Sequence, residues 1–384
     1  MNQPARYFKQ NSYLLVIIMW LLAEILWFSI FGLQFKMEAV KYIGEADYLL
    51  ENHAFSQGRY LFYLLTILII AAASALNIGV YGALLIIALI NLCAFLYFFK
   101  ALKKVFAGTT PALLIIAFLL AFWPYQIWSL FLYTECLFYS LVMILFSRLL
   151  MFERLDFKFL AGTFFILLLV ILTRPLGVLF VFPVMLFLYF HLNRRQKIFF
   201  YVGTILCLIV LGWVVQVVFT TTHDWNMQRS FLEESIICDM PVNSENKNLD
   251  ISQHPNQLYR LYYYISHNFS HFAGLALVRL KYFFLMTRNY YSNGHNLFLL
   301  LVMLPVYTSI VVGMKNLVRT FHFPVVVFCL SSILFFALAI AFQCDDYHNR
   351  FILTLMPLFA ALAVAGCRPV LNRIFSFFSK QEKG

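Results

Sequence analysis

The sequence predicts an all-α polytopic transmembrane helical bundle, and three observations carry that prediction. Of 384 residues, 63% are hydrophobic and only 12% charged, against roughly a quarter charged in an ordinary soluble domain. Apolar runs close to the ~20 residues needed to cross a bilayer recur from Tyr13 to Gly366. These runs do not alternate apolar with polar, as Phe164 to Thr173 (FFILLLVILT) illustrates. That excludes a transmembrane β-barrel and leaves helices, each satisfying its own backbone in lipid. Residues 1–384 therefore read as a single integral membrane domain.

In chain order the candidate spans are 13–34, 60–76, 82–99, 111–128, 136–152, 159–173, 176–192, 198–219, 296–314, 324–342 and 350–366, about 10–11 hydrophobic segments. The first follows MNQPARYFKQ, is too long for a cleaved signal and has no small-x-small site after it, so it reads as a signal anchor. Compact basic sets come after several spans: Lys100/Lys103/Lys104, Arg148/Arg154/Lys158, Arg194/Arg195/Lys197, Lys315/Arg319 and Arg368/Arg373/Lys380/Lys383. With Arg6 and Lys9 they mark the cytoplasmic side. If 60–76 and 82–99 both crossed, the Lys100 set would fall outside and every later loop would invert. Parity thus predicts that one of the two, 60–76, dips or lies along the outer interface. Ten crossings result, with both termini cytoplasmic.

The same topology accounts for the net charge of +11. A chain this apolar has nowhere to gather a contiguous basic face, so nucleic acid is not expected as a partner. All Asp and Glu except Glu24, Glu153, Asp156 and Glu382 fall on outer segments. The positive-inside rule says little about acids, so this skew directs the search for chemistry to the outer face. Cys93, Cys207 and Cys329 lie within apolar runs, and no CxxC pair occurs. Cys238 and Cys344 both fall in outer loops, which leaves a disulfide between them open. The two large outer loops are 35–59 and 220–295. The second contains the tyrosine-rich stretch Gln257 to Tyr291 with Arg260, Arg279, Lys281 and Arg288, a composition suited to interfacial amphipathic helices.

Four motifs could carry chemistry. Residues 45–52, E-A-D-Y-L-L-E-N, belong to a loop holding Glu38, Glu45, Asp47 and Glu51 and are followed by Gly58-Arg59-Tyr60 before an apolar run. Such acids read either as a solvated face or as a base for proton transfer. Arg59 reads as snorkelling to the interface or as a phosphate contact. In LYTECLFYSLVMILF (132–146), Glu135 sits at the membrane boundary. There a carboxylate either needs a partner or rides on the helix dipole behind a Thr134 cap. LTRPLGVLF (172–180) makes a Pro/Gly turn whose single charge is Arg174, fit for a phosphate or for an ion pair with Glu135. QCDDYHNRFILTLMPLF (343–359) compresses Asp345, Asp346, His348 and Arg350 between two apolar helices. Adjacent acids and a histidine admit a divalent metal, Mg or Mn, although no third ligand is fixed by spacing. Glu24, inside the first span, reads as a relay or as a bond to a neighbouring helix.

In this order the motifs resemble the GT-C superfamily, membrane glycosyltransferases that take a sugar from a polyprenyl phosphate carrier. Protein O-mannosyltransferases and the aminoarabinose transferase of lipid A belong to it. The resemblance implies a GT-C-like bundle working with inversion on the extracytoplasmic face of a bacterial inner membrane. It makes Asp47 the catalytic base or acceptor-orienting acid with Glu45 beside it, and matches Glu135 to a Thr-Glu at the outer start of a helix. It assigns carrier phosphate to some of Arg59 (with Tyr60), Arg174 and Arg350 (with His348). Partners implied are a polyprenyl-phosphate sugar donor, a lipid or glycan acceptor, and membrane lipids. It fixes no cofactor beyond the divalent metal, Mg or Mn, that the 343–359 cluster admits. Two departures shape the expectation: Ala46 separates the acids Glu45 and Asp47, and no extracytoplasmic globular domain is present, which favours a lipid or glycan acceptor over protein. The alternative class is a transporter or lipid-linked glycan flippase, against which stand the scarcity of midplane charge and the lack of an evident repeat.

Overall fold

The computed structural model describes residues 12–198, 200–203, 205, 209, 228–238, 240–243 and 248–370. The expected span 198–219 lies for the most part outside the described residues, as do Arg6, Lys9, Cys207, Arg373, Lys380 and Lys383. The protein is all-α: 79% of it is helical and it has no strands, only isolated bridges, among the described residues. Its longer helices are α1 (Ser12–Phe31), α2 (Glu38–Asn52), α3 (Leu64–Ala75), α4 (Gly79–Phe106), α5 (Thr109–Ala121), α6 (Glu135–Leu150), α7 (Phe157–Thr173), α8 (Val181–Tyr189), α9 (Gln257–His267), α10 (Phe269–Leu285), α11 (Asn293–Val312), α12 (Met314–Thr320), α13 (Phe323–Phe342) and α14 (Met356–Gly366).

Among the described residues five helical stretches are long and apolar enough to cross a membrane: Ser12–Phe31, Gly58–Ala75, Gly79–Phe106, Asn293–Val312 and Phe323–Phe342. Two bent pairs, Thr109–Ala121 with Trp123–Leu130 (72°) and Tyr347–Leu353 with Met356–Gly366 (55°), raise the number to seven if each is one span. Leu22 and Ile25 of α1 are more than 60% exposed, a surface that water would not tolerate as a patch. This is an integral membrane protein. The expected spans differ from the observed helices mainly where proline intervenes. Pro124 and Pro357 open new helical turns after a break, because proline has no N–H to continue the ladder. The stretch 60–76 is helical from Gly58 to Ala75, its first six residues wound as a 3-10 helix. The stretch 35–59, expected as an outer loop, contains α2, which reads as a helix once Ala39, Tyr42 and Ala46 are seen to share a face.

Contacts divide the chain into two compact units, Met1–Val184 with Pro305–Cys329 and Leu353–Gly384, and Met185–Leu304 with Leu330–Ile352. In the first, α6 is the axis: all its residues but Ile144 and Arg148 are buried, as befits a helix surrounded by others. It packs along α4 and α7, while α5 lies against α1, α4 and α14. Arg148 ties the end of α6 to the start of α7 by donating to Thr163 Oγ1 (3.0 Å) and to the carbonyls of Lys158 (2.7 Å) and Phe159 (3.0 Å). Asp156 caps α7 by accepting from the Phe159 N–H at 2.8 Å. Glu24 bonds neighbouring elements, accepting from Gln126 Nε2 (2.7 Å) and Ser129 Oγ (2.8 Å). Gln126 also donates to Asn91 (3.2 Å), which accepts from Trp20 Nε1 (2.9 Å) and donates to Ser140 (3.0 Å). Helices this apolar gain little from hydrophobicity alone, so such polar links and small-residue contacts hold them together. Asn316 Nδ2 donates to the Gly366 carbonyl at 3.1 Å, and a Cβ at Gly313 would run into the Gly366 backbone.

In the second unit α9 and α10 follow one another across Asn268 and touch at that junction, within the stretch 220–295. Leu258, Tyr259, Tyr262, Phe269 and Leu277 are exposed and Tyr264 and Phe283 buried. Arg279 is buried and donates to the carbonyls of Ser235 (2.9 Å) and Ser230 (2.8 Å), with its guanidinium over the Phe231 ring. Burial pulls that guanidinium down to about 10.

Gly313→Leu should lower stability by about 1–3 kcal/mol through overpacking, seen as a lower thermal unfolding midpoint in detergent. An unchanged midpoint would contradict the close approach at Gly366.

Candidate functional site

The turn after α7 aims Arg174. Its backbone is extended (φ −160°, ψ 140°), and Pro175 opens a 3-10 helix, Pro175–Phe180. A Cβ at Gly177 would stand 2.6 Å from the Val170 carbonyl and 2.7 Å from Ile171, so glycine is what lets the turn fold back on α7. Arg174, 8% exposed, donates through Nη1 to Oε1 of Glu135, which is wholly buried in the first turn of α6. Thr134 occupies the N-cap position but makes no capping bond; its hydroxyl is 3.5 Å from Glu135 Oε2. Of the two roles open to Arg174, the ion pair with Glu135 is the one formed in this structure.

α2 is fixed near this pair from both ends. At its start, Gln34 N donates to the Leu130 carbonyl (3.0 Å), Leu132 N to the Gln34 carbonyl (3.2 Å) and Tyr133 Oη to the Lys36 carbonyl (3.1 Å). Past its end, Ser56 reaches back to mid-helix, donating its N–H (2.7 Å) and its Oγ (2.5 Å) to Glu45. The buried face of α2 is Ala39, Tyr42, Glu45 and Ala46. Burial pushes the Tyr42 phenol well above its ordinary range, the charges of Glu135 and Glu38 push it further, and Arg174 pulls it back. Tyr42 also meets Tyr63 at 5.4 Å between ring centroids. Asp47 lies off the buried face, exposed, with no hydrogen bond or ion pair to a described residue. Arg59 is exposed and lies over the ring of Tyr60 at 5.5 Å.

The sequence-derived residues thus separate. Glu135 and Arg174 meet; Glu45, two residues from Asp47, is a tether for the chain after α2; Asp47 is an accessible carboxylate. Tyr42 was missed, and its signal was its place on the 39/42/46 stripe.

His348 and Arg350 belong to the second unit, where the loop 343–349 is clamped. Cys344 is disulfide-bonded to Cys238 with Cα atoms 5.0 Å apart. Cys238 N donates to the Asp345 carbonyl and Asp345 N to the Ile236 carbonyl, both at 2.9 Å. Asp345 and Arg288, both buried, form an ion pair, and Arg288 donates further to the carbonyls of Tyr282 (2.9 Å) and Thr287 (3.1 Å). Burial pushes the Asp345 carboxyl up while the Arg288 charge holds it down. Asp346 accepts from Tyr347 N at 2.8 Å and lies 3.9 Å from Arg350 Nε. His348 is exposed, and it and Asn349 hold left-handed backbone (φ 55° and 61°). Both carboxylates proposed for Mg or Mn are turned to these partners. Among the described residues no group of three or more His, Cys, Asp or Glu is placed to hold a metal ion.

Comparisons with protein-family models, with curated proteins and with solved structures find no match to this chain.

Removing one partner of the Glu135–Arg174 pair should cost about 3–5 kcal/mol, since it leaves a buried charge uncompensated. In a double-mutant cycle, Glu135→Gln with Arg174→Met should recover much of that loss. Additive losses in unfolding measurements would mean the two side chains are not coupled.

Proposed function

We propose that this protein is a membrane glycosyltransferase that moves a sugar from a polyprenyl-phosphate donor to a lipid or glycan acceptor, with inversion. The observation that carries the reading is the buried Glu135–Arg174 pair, with Tyr42 of the acidic helix α2 within its electrostatic reach. Ionisable groups this deep in an apolar protein are expensive and mark functional positions. Sugar transfer from a phosphate carrier needs a carboxylate to take the acceptor's proton and a cation for the departing phosphate. Asp47, exposed and unengaged, supplies the first: it receives the proton as the acceptor oxygen bonds to the anomeric carbon and the bond to the carrier phosphate breaks. Arg174 supplies the second by sharing its guanidinium between Glu135 and the phosphate, with Arg59 as a further contact.

The setting proposed is a bacterial inner membrane, both termini cytoplasmic and the working face outside. The Cys238–Cys344 disulfide supports an extracytoplasmic position for its two loops, because such bonds persist in oxidising compartments. The Glu24–Gln126–Asn91 network at the heart of the first unit favours the second reading, transport. Movement of polyprenyl-linked sugar or free solute in proteoliposomes, without transfer, would establish it.

Membranes incubated with a panel of polyprenyl-phosphate sugars should release free carrier phosphate, and Asp47→Asn should lower that release by about 10²–10⁴-fold while folding normally. Near wild-type turnover in this variant would sink the assignment of the base; no release with any donor would sink the reaction. After reduction, a membrane-impermeant maleimide added from outside should label Cys238 and Cys344. Labelling only after the membrane is opened would place the face inside.

A further inference from the structure

We propose that the rings of Tyr290, Tyr291, His295 and His348 form a saccharide-binding platform in the second unit. The proposal deepens the glycosyl-transfer reading and rests on it for the class of ligand. The Tyr291 ring lies nearly parallel to that of His295 (centroids 4.0 Å apart, 17°) and to that of His348 (6.4 Å, 19°). Tyr290 stands edge-on to both Tyr291 (4.8 Å, 76°) and His348 (6.2 Å, 87°). Tyr290 is 41% exposed and His348 is exposed too, so the assembly reaches the surface instead of filling a core.

Its backbone is held in a costly conformation. His348 and Asn349 are consecutive left-handed residues, a state that persists only when the surroundings impose it. Here the Tyr290 hydroxyl takes the His348 N–H at 3.3 Å, and Asn349 Nδ2 donates to the Met286 carbonyl at 2.8 Å. The disulfide and the Arg288–Asp345 pair fix the rest of the loop. Rings that only anchor a protein in the headgroup layer need no such fixing.

The local charge selects the ligand. Arg288 faces Asp345 and Arg350 faces Asp346, so positive and negative charges balance and a bare phosphate gains little. Aromatic faces carry negative quadrupole charge, and the axial C–H groups of a pyranose present a weakly positive apolar face to them. Tyrosine hydroxyls and imidazole nitrogens suit the sugar's hydroxyls, the usual pairing of an apolar surface with a few placed polar groups.

The test is saturation-transfer NMR on the full-length protein in detergent with free glucose, mannose, galactose, rhamnose and N-acetylglucosamine as probes and glycerol phosphate as headgroup control. At least one sugar should give a signal, weakened about tenfold or more in apparent affinity by Tyr291→Ala and by His348→Ala, with the disulfide still formed in both variants. Asp47→Asn should keep the signal while losing transfer. No sugar signal, a signal untouched by both platform variants, or one from glycerol phosphate alone would overturn the platform. Transfer that continues without sugar binding would remove the platform and leave the reaction; sugar binding without transfer from any donor would do the reverse.

Discussion

A charge removed from water inside an apolar protein has to meet its opposite or a set of carbonyls, and much of this structure is arranged around that requirement. The idealised penalty for burying one such ion is of order 20 kcal/mol, far above the stability of any domain. Glu135 with Arg174 and Asp345 with Arg288 answer it by pairing. Arg279 answers it with two backbone carbonyls and an aromatic face. In each case the surrounding backbone is specialised to deliver the partner. The Gly177 turn aims Arg174, the bridges from 236–238 to Asp345 seat its carboxylate, and the Ser230–Ser235 segment offers its carbonyls to α10.

The acids of α2 show how one short helix divides its labour. Glu45 sits on the buried face and holds the chain beyond the helix through Ser56, while Asp47, two residues on, points to the exposed side. A helix turns about 100° per residue, so a spacing of two places side chains on nearly opposite faces. The intervening Ala46 stays on the buried face beside Glu45. The arrangement gives an anchored scaffold and an unengaged carboxylate from the same eight-residue run.

The helical class was legible because apolar runs without alternation admit little else in lipid, and α1, α4, α7, α11 and α13 lie close to where those runs placed them. Less legible were the breaks. Pro357 stands in a stretch whose hydropathy stays high, and Pro124 in one that the expected span 111–128 runs straight through; hydropathy carries no information about a lost N–H. The Glu135–Arg174 pair could be written down as one of two options because both residues sat alone among apolar neighbours. Arg288 with Asp345 could not, since 57 residues of loop and helix separate them and each has other charges nearby in sequence. The burial of Glu45 was hidden because a carboxylate in a polar loop reads as solvated until its tether, Ser56, is seen.

The disulfide joins cysteines 106 residues apart, and closing a loop of that size stabilises by about 4.7 kcal/mol on chain-entropy grounds. Its position in the sequence also sets a schedule. Cys238 must wait for α9, α10, α11, α12 and α13 to be synthesised before Cys344 exists to meet it. Until then Asp345 is missing too, and Arg288 has no carboxylate from this loop. The second unit is therefore completed late in synthesis, once both thiols are present to be oxidised. Until that oxidation the loop 343–349 lacks its covalent latch to the segment before α9.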